Sequence, residues 1–252
     1  MSVRLLIVAA VMTASVSSYA PSVLADVIAV IGTGRMGAAI GPRFAETGHT
    51  VIYGSRDPAQ EKVRALVART GPGTTATTND DAVEKADIIV FALPFAATEE
   101  LIKSNQNEFD GKIIFDITNA SLKALTPDHP GAVESSAGQI IQEWAPKSFV
   151  VKAFNTVGYH IVSDPSHASG PVTVPLVGNS GAAKMKVAGL VQAMGFETTD
   201  SGTIENAHVT EGMAHLYFIP LARREFDEAF EYYFRKGTAP TGVTAKQIRS
   251  AD

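Results

Sequence analysis

The sequence VIAVIGTGRMG, residues 27–37, predicts the fold of this chain. Its first five residues are all apolar, which is typical of a strand buried on both faces of a parallel sheet. Gly32, Gly34 and Gly37 then have the spacing of a dinucleotide-binding turn, in which they permit the tight bend, the approach of a pyrophosphate and close packing of helix on strand, respectively. Because this motif follows a strand and opens a helix predicted over 36–47, it indicates a nucleotide site.

Strand and helix patterns alternate along the rest of the chain. Strands are predicted at 51–53, 87–93, 112–117, 149–153, 172–177 and 196–199, and helices at 57–69, 96–103, 138–144, 182–194, 205–217 and 222–234. This alternation predicts an α/β fold, a doubly wound parallel sheet of the Rossmann NAD(P)-binding type, with a small C-terminal helical extension. We expect a Rossmann domain over 26–170 and a C-terminal α/β and helical portion over 171–252. The long irregular stretch 118–137 is typical of a functional or mobile loop.

The end of the second strand predicts which nucleotide binds. NAD-dependent enzymes place an acidic residue there for the ribose 2′-hydroxyl, whereas this chain has Gly54, Ser55 and Arg56. A hydroxyl and a guanidinium hydrogen-bond a 2′-phosphate, which a carboxylate would repel. Asp57 precedes Pro58, so we expect it to cap the next helix rather than contact the nucleotide. The sequence therefore predicts NADP.

Composition excludes several function classes. A net charge of −5 argues against a nucleic-acid partner, and the absence of cysteine excludes disulfides, thiolate catalysis and thiolate metal sites. The six histidines lack metal-ligand spacing, although His208 and His215 would share a helix face, so no metal site is predicted. Lys62 and Arg64 are interpreted as a solvated helix face.

Residues 1–25 resemble a secretory signal peptide. Arg4 is followed by an apolar stretch, 5–16, and by small residues before Asp26. The apolar run is shorter than the roughly 20 residues of a membrane span, so no span is predicted in the mature chain. We expect an exported protein, periplasmic or secreted, and a cytoplasmic one if this segment is an N-terminal helix or lies before the true start.

Further motifs identify a family resemblance. In chain order they are Gly32–Gly37, Gly54–Arg56, Ala92-Leu93-Pro94, Val151–Thr156, Val177-Gly178-Asn179, Gly195-Phe196 and Asp200-Ser201-Gly202. Together they resemble the coenzyme F420 (deazaflavin)-dependent NADP oxidoreductases, over most of residues 26–235. The NADP-binding domain of six-transmembrane metalloreductases is built similarly. The C-terminal aromatic residues depart from the family's composition where its members form the acceptor pocket.

The resemblance implies a hydride transfer between NADPH and a flavin- or deazaflavin-type acceptor. It also implies that the protein forms a homodimer. It also implies that residues at several strand ends line the crevice. With the turn, the predicted cofactor-binding set is Gly32, Thr33, Gly34, Arg35, Met36, Gly37, Ser55, Arg56, Leu93, Pro94, Asn119, Ala153, Asn155 and Thr156. No catalytic acid, base or nucleophile is identified, which suits chemistry carried by cofactors.

Two other functions stay open at this point. One is a carbonyl- or imine-type dehydrogenase, in which a group such as His160 would supply a proton. The other is a non-catalytic NADP-binding module, or a subunit that feeds a redox partner. All three functions share the nucleotide site. They differ in whether a small molecule accepts the hydride and in which molecule that is.

Overall fold

The computed structural model describes residues 25–120, 136–223 and 231–235. Within them the strands are β1 (Val27–Ile31), β2 (Thr50–Gly54), β3 (Thr75–Thr77), β4 (Ile88–Phe91), β5 (Ile113–Asp116), β6 (Phe149–Lys152), β7 (Thr173–Gly178) and β8 (Glu197–Asp200). The helices are α1 (Arg35–Glu46), α2 (Glu61–Thr70), α3 (Asn79–Lys85), α4 (Thr98–Ser104), α5 (Ala137–Trp144), α6 (Tyr159–Ser163), α7 (Gly181–Ala193) and α8 (Ala207–Arg223).

The strands form one sheet in the order β3-β2-β1-β4-β5-β6-β7-β8. The pairs from β3 to β6 are all parallel, which confirms the predicted doubly wound Rossmann sheet. Sequence order reverses where β1 lies beside β4, and in such sheets ligands bind beyond the carboxyl ends of the strands at this point. β7 is antiparallel to β6, because the chain turns back through the short α6 instead of crossing a sheet face.

Apolar side chains fill both faces of the sheet. On one face Phe44 of α1 meets Phe115 of β5 edge to face, with ring centroids 6.0 Å apart. On the other face Phe91 of β4 and Phe109 pack at the same separation. The continuous apolar runs of β1 and β4 therefore follow from burial on two sides.

Phe154, just beyond β6, joins the Rossmann strands to the second part of the sheet. Its backbone φ is +56°, a left-handed conformation that side chains other than glycine rarely adopt. This conformation places the fully buried ring against Phe115 at 6.0 Å and against Phe196 at 4.9 Å. The turn also leaves Asn155 facing Asn119, so one strained residue both fills the core and shapes the crevice.

Three local predictions are corrected by the structure. Asp57 does not cap α2, which begins at Glu61, because Asp57 lies in a turn closed by the Gln60 N–H on its carbonyl. The prediction of a second C-terminal helix over 222–234 is wrong at its end. The backbone of 231–235 is not helical, and the Tyr232 carbonyl accepts a hydrogen bond from the Thr173 N–H. β3, α3 and α6 were not predicted, since each is short and has no apolar periodicity.

Two sequence predictions concern residues outside the described ranges. The signal peptide falls on residues 1–25, of which the structure describes residue 25, and most of the irregular stretch 118–137 lies outside as well. Export and its periplasmic destination therefore stay predictions. No helix in the described parts of the chain is long and apolar enough to cross a membrane.

Replacing Phe154 by alanine should lower the free energy of unfolding by about 3–5 kcal/mol, because the ring is fully buried between two others. Phenylalanine and alanine each have a Cβ at this positive φ, so the backbone strain is similar in both proteins. The difference in the free energy of unfolding therefore measures the loss of the ring. Chemical denaturation measures it. Phe149→Ala, at a ring 43% exposed, is the control and should cost far less. Equal losses in the two variants would contradict the bridging role of Phe154.

Candidate functional site

The glycine turn between β1 and α1 has the geometry of a pyrophosphate cradle. Gly32 has φ +107°, and a Cβ there would lie 2.6 Å from the Ala92 carbonyl oxygen of the neighbouring strand end. A Cβ on Gly37 would overlap the Gly32 carbonyl oxygen, so helix and strand can approach this closely only without a side chain. Both glycines are therefore required by the fold itself.

Gly34 differs from its two neighbours. Its φ of −76° suits any residue, and a Cβ there would meet no atom within 4 Å. The space above Gly34 is the place that a phosphate would occupy, in front of the unpaired N–H groups and the positive dipole end of the 12-residue α1. The turn therefore fits a dinucleotide without any shift of backbone.

The remaining turn residues surround this space. Thr33 and Met36 are half-buried, whereas Arg35 is exposed at the first position of α1. The Arg35 guanidinium lies over the ring of Tyr159, 5.6 Å from its centroid. This contact links α1 to α6, so the strand end after β6 lies close to the phosphate turn.

The structure brings Ser55 and Arg56 to the carboxyl end of β2, next to the turn. The Gly32 N–H donates to the Gly54 carbonyl, at 3.1 Å, which ties the two strand ends together. Arg56 is exposed, and the Ser55 hydroxyl accepts the Asp57 N–H at 3.2 Å. Asp57 thus braces the loop through its backbone. Its carboxylate is exposed and makes no hydrogen bond to another described residue.

The other predicted crevice residues lie at the carboxyl ends of β4, β5 and β6. Leu93 is half-buried and Pro94 exposed beyond β4, beside the Gly32 turn. Ala153 is fully buried beneath the crevice. These positions agree with the rule for ligands in such sheets, but only Leu93 and Pro94 present surface there.

Asn119 and Asn155 form a reciprocal pair across the crevice. The Asn155 Nδ2 donates to Asn119 Oδ1 at 3.1 Å, and Asn119 Nδ2 donates to the Asn155 carbonyl at 3.3 Å. Asn155 Nδ2 also donates to the Thr210 carbonyl of α8 at 2.9 Å. The buried Asn155 Oδ1 and Thr156 Oγ1 have no hydrogen-bond partner among the described residues. Unpaired buried polar atoms are costly, so these two are suited to a polar ligand group.

A buried ion cluster that was not predicted contacts the backbone on both sides of Asn119. Lys152, the last residue of β6, is paired in register with Asp116, the last residue of β5, and their Nζ and Oδ2 atoms are 2.6 Å apart. Glu211 of α8 approaches the same Nζ to 3.1 Å, and all three side chains are fully buried. Burial lowers the pKa of Lys152, but the two carboxylates raise it more, so its pKa lies above the ordinary value and the ammonium form persists.

The sequence held a signal for this cluster. Asp116 and Lys152 each stand inside an apolar run, FDI and VVKAF, where a charge needs a partner. The matching register of the two strands supplies it. Glu211 carries no such signal, because a glutamate in a helix is most often solvated.

The described histidines form no common site, although His167 Nδ1 lies 3.3 Å from the His160 carbonyl oxygen. His160 lies beside Gly158, where an added Cβ would be 2.9 Å from its Nδ1 and 2.6 Å from the Tyr217 hydroxyl oxygen. Burial lowers the pKa of His215, one turn beyond Glu211. Within the described ranges no three His, Asp or Glu side chains converge as metal ligands.

Comparison with known proteins matches the first part of the described chain to a family model. Residues 27–120 match the family model described as NADP oxidoreductase, coenzyme F420-dependent. The F420-dependent NADP reductase of Methanothermobacter thermautotrophicus is 28% identical over 205 residues, which cover 75% of this chain and 86% of that protein. Metalloreductase STEAP3 of Rattus norvegicus is 24% identical over 74% of this chain. The match covers 36% of the metalloreductase, so this chain spans about a third of that protein's length.

Solved structures agree with this placement. A candidate F420-dependent NADP reductase from Arthrobacter sp. FB24 is 27% identical, with a TM-score of 0.73 over 83% of this chain and 99% of that one. An imine reductase from Myxococcus stipitatus in complex with NADP+ is 20% identical, with a TM-score of 0.58 over 79% of this chain and 63% of that one. The second likeness concerns the fold alone.

Gly34→Val should leave the fold intact and abolish nucleotide binding, because its side chain would fill empty space that the pyrophosphate needs. Circular dichroism and the thermal shift with NADPH measure the two effects. Gly189→Val in α7, where a Cβ also meets nothing within 4 Å, is the matched control and should keep the shift. A normal shift in Gly34→Val would mean that the nucleotide does not lie over this turn.

Proposed function

We propose that this chain, a member of the family of coenzyme F420-dependent NADP oxidoreductases and their relatives, transfers a hydride between NADPH and a flavin- or deazaflavin-type acceptor. The observation that carries the nucleotide half is the open space over Gly34 beside the exposed Arg56. Bound NADPH supplies the hydride at its nicotinamide C4.

The residues of this chain would bind and orient the nucleotide. We assign the pyrophosphate to the N–H groups of Thr33, Arg35 and Met36 around Gly34, and the 2′-phosphate to Ser55 and Arg56. A guanidinium at that strand end attracts a phosphate, and the Ser55 hydroxyl lies within the same loop.

The nicotinamide end is assigned to the opposite side of the crevice. Leu93 and Pro94 would border the ring, while Asn119, Asn155 and Thr156 would form the polar side toward its carboxamide. The unpaired Asn155 Oδ1 is an acceptor for an amide N–H, and Asn155 Nδ2 is already used by Asn119 and Thr210. The pair is thus oriented before any ligand binds, which lowers the entropy cost of orientation.

The flavin-type acceptor is supported by the Methanothermobacter match, which extends beyond residues 27–120 over 86% of that reductase. We propose that 26–170 forms the NADP-binding domain and that 171–252 completes the acceptor side and a homodimer contact. β7 and β8 extend the sheet beyond β6, and α8 reaches the crevice, where its Thr210 carbonyl accepts a hydrogen bond from Asn155 Nδ2.

Carbonyl or imine reduction is the second candidate, and one observation favours it. The Tyr217 hydroxyl and the His160 ring both lie beside Gly158, two residues beyond Thr156. Burial, with Glu231 and Tyr159 nearby, raises the pKa of Tyr217 to about 12, so its hydroxyl keeps its proton at neutral pH. A proton source at this position is needed when an alkoxide or amine forms.

Arg56→Ala should weaken NADPH binding by roughly ten- to a hundredfold and leave NADH binding nearly unchanged, because a charge-assisted contact contributes about 1.5–3 kcal/mol. Isothermal titration with both nucleotides measures this. Arg64→Ala, at an exposed position of α2, is the control and should change neither affinity much. Equal losses for NADPH and NADH in Arg56→Ala would remove the main support for NADP.

NADPH oxidation should be fastest with a flavin or deazaflavin among four acceptors: deazaflavin, flavin, a ferric chelate and a cyclic imine. NADPH deuterated at C4 should give a primary isotope effect of the same size in wild type, His160→Ala and Tyr217→Phe, because ring-to-ring transfer needs no side-chain acid in the hydride step.

A loss of kcat by about a thousandfold in either variant, with NADPH binding intact, would mark a general acid and favour carbonyl or imine reduction. Turnover with none of the four acceptors, together with tight NADPH binding, would favour the non-catalytic module.

A further inference from the structure

We propose that the buried Asp116–Lys152–Glu211 cluster holds one net negative charge beneath the crevice, and that this charge favours the oxidised, cationic nicotinamide over the neutral reduced one. Asp116 and Glu211 would thereby be positioning residues that also set the redox preference of the site. The inference rests on the proposed function, since it takes the nicotinamide to lie against Asn119 and Asn155.

Asp116 is surrounded by donors. Its Oδ1 accepts the Thr118 N–H at 2.8 Å and the Thr118 hydroxyl at 2.7 Å, while Oδ2 lies 2.6 Å from Lys152 Nζ. Both oxygens of Asp116 therefore act as acceptors or contact a cation, as the oxygens of a carboxylate do.

Glu211 is surrounded in the same way. One oxygen accepts the Ala120 N–H at 2.9 Å, and the other accepts the Gly138 N–H at 3.3 Å and lies 3.1 Å from Lys152 Nζ. The third Lys152 contact goes to the neutral Thr118 carbonyl, at 2.5 Å. Among the residues that the structure describes, two carboxylates therefore share one ammonium, which leaves one negative charge without a counterion.

Fold stability does not account for this arrangement. All three side chains are fully buried, and burying even a balanced ion pair is often no better than burying apolar residues of the same volume. An unbalanced cluster costs more, because the extra charge has lost its hydration without gaining a counterion. Glu211 also accepts the Ala120 and Gly138 N–H groups, which a neutral glutamine oxygen could do in part, and the proposed role at the adjacent crevice accounts for its charge.

The cluster contacts the backbone on both sides of Asn119, which the proposed function assigns to the nicotinamide. Lys152 Nζ contacts the Thr118 carbonyl, and Glu211 accepts the Ala120 N–H. When C4 loses a hydride, both electrons and the hydrogen pass to the acceptor and the ring becomes a cation. A fixed negative charge in a medium of low dielectric constant stabilises that cation, whereas it acts weakly on the neutral ring.

The experiment compares the dissociation constants of NADP+ and NADPH. Glu211→Gln removes one charge at nearly constant shape, so NADP+ should lose affinity relative to NADPH by a factor on the order of tenfold. Asp110→Asn removes the same charge from a surface pair with Lys147, before β5, where the Asp110 side chain is 36% exposed. This control should leave the ratio of the two constants unchanged.

An equal loss for both nucleotides in Glu211→Gln would overturn the inference and leave the proposed function standing. Failure of the wild-type protein to bind either nucleotide would instead defeat the proposed function. Thermal unfolding without ligand shows whether Glu211→Gln folds. If it does not, Asp116→Asn removes the same charge, and an unchanged ratio in that variant overturns the inference as well.

Discussion

The Lys152 ammonium is the contact on which the crevice depends. Through Asp116 and the Thr118 carbonyl it fixes the end of β5, and through Glu211 it fixes α8 against both. Glu211 in turn holds Ala120 and Gly138, the backbone on either side of the residues outside the described ranges. Removing the ammonium would leave two buried carboxylates facing each other, so this part of the sheet edge and the C-terminal helix are stable only together.

The two halves of the site are built by different means. Around Gly32 and Gly37 the constraint is steric, because any side chain would collide with the neighbouring backbone. Around Asn119 and Asn155 the constraint is polar, because reciprocal hydrogen bonds orient both amides over buried charges. A steric turn suits the phosphates that all dinucleotides share, whereas an oriented polar pair suits the nicotinamide, where the reaction occurs.

The relatives are named for different electron acceptors. The matched proteins include a metalloreductase and F420-dependent NADP reductases, while the imine reductase shares the fold alone. In this chain Tyr217 and His160 lie beside Gly158, in the part of the chain after β6 to which the proposed function assigns the acceptor side.

The local sequence was enough to predict the parallel sheet and the position of the glycine turn. Local spacing places the turn glycines, Ser55 and Arg56, and burial on both faces explains the apolar strands, so a periodic pattern was enough to predict the parallel sheet. Other features depend on tertiary contacts. Helix α2 begins at Glu61 and not after Asp57, and the Tyr232 carbonyl accepts a hydrogen bond from Thr173 at the start of β7 where a helix was predicted. Glu211 pairs with Lys152, which is 59 residues earlier in the sequence. Such contacts depend on which surfaces meet after folding, and no local pattern records them.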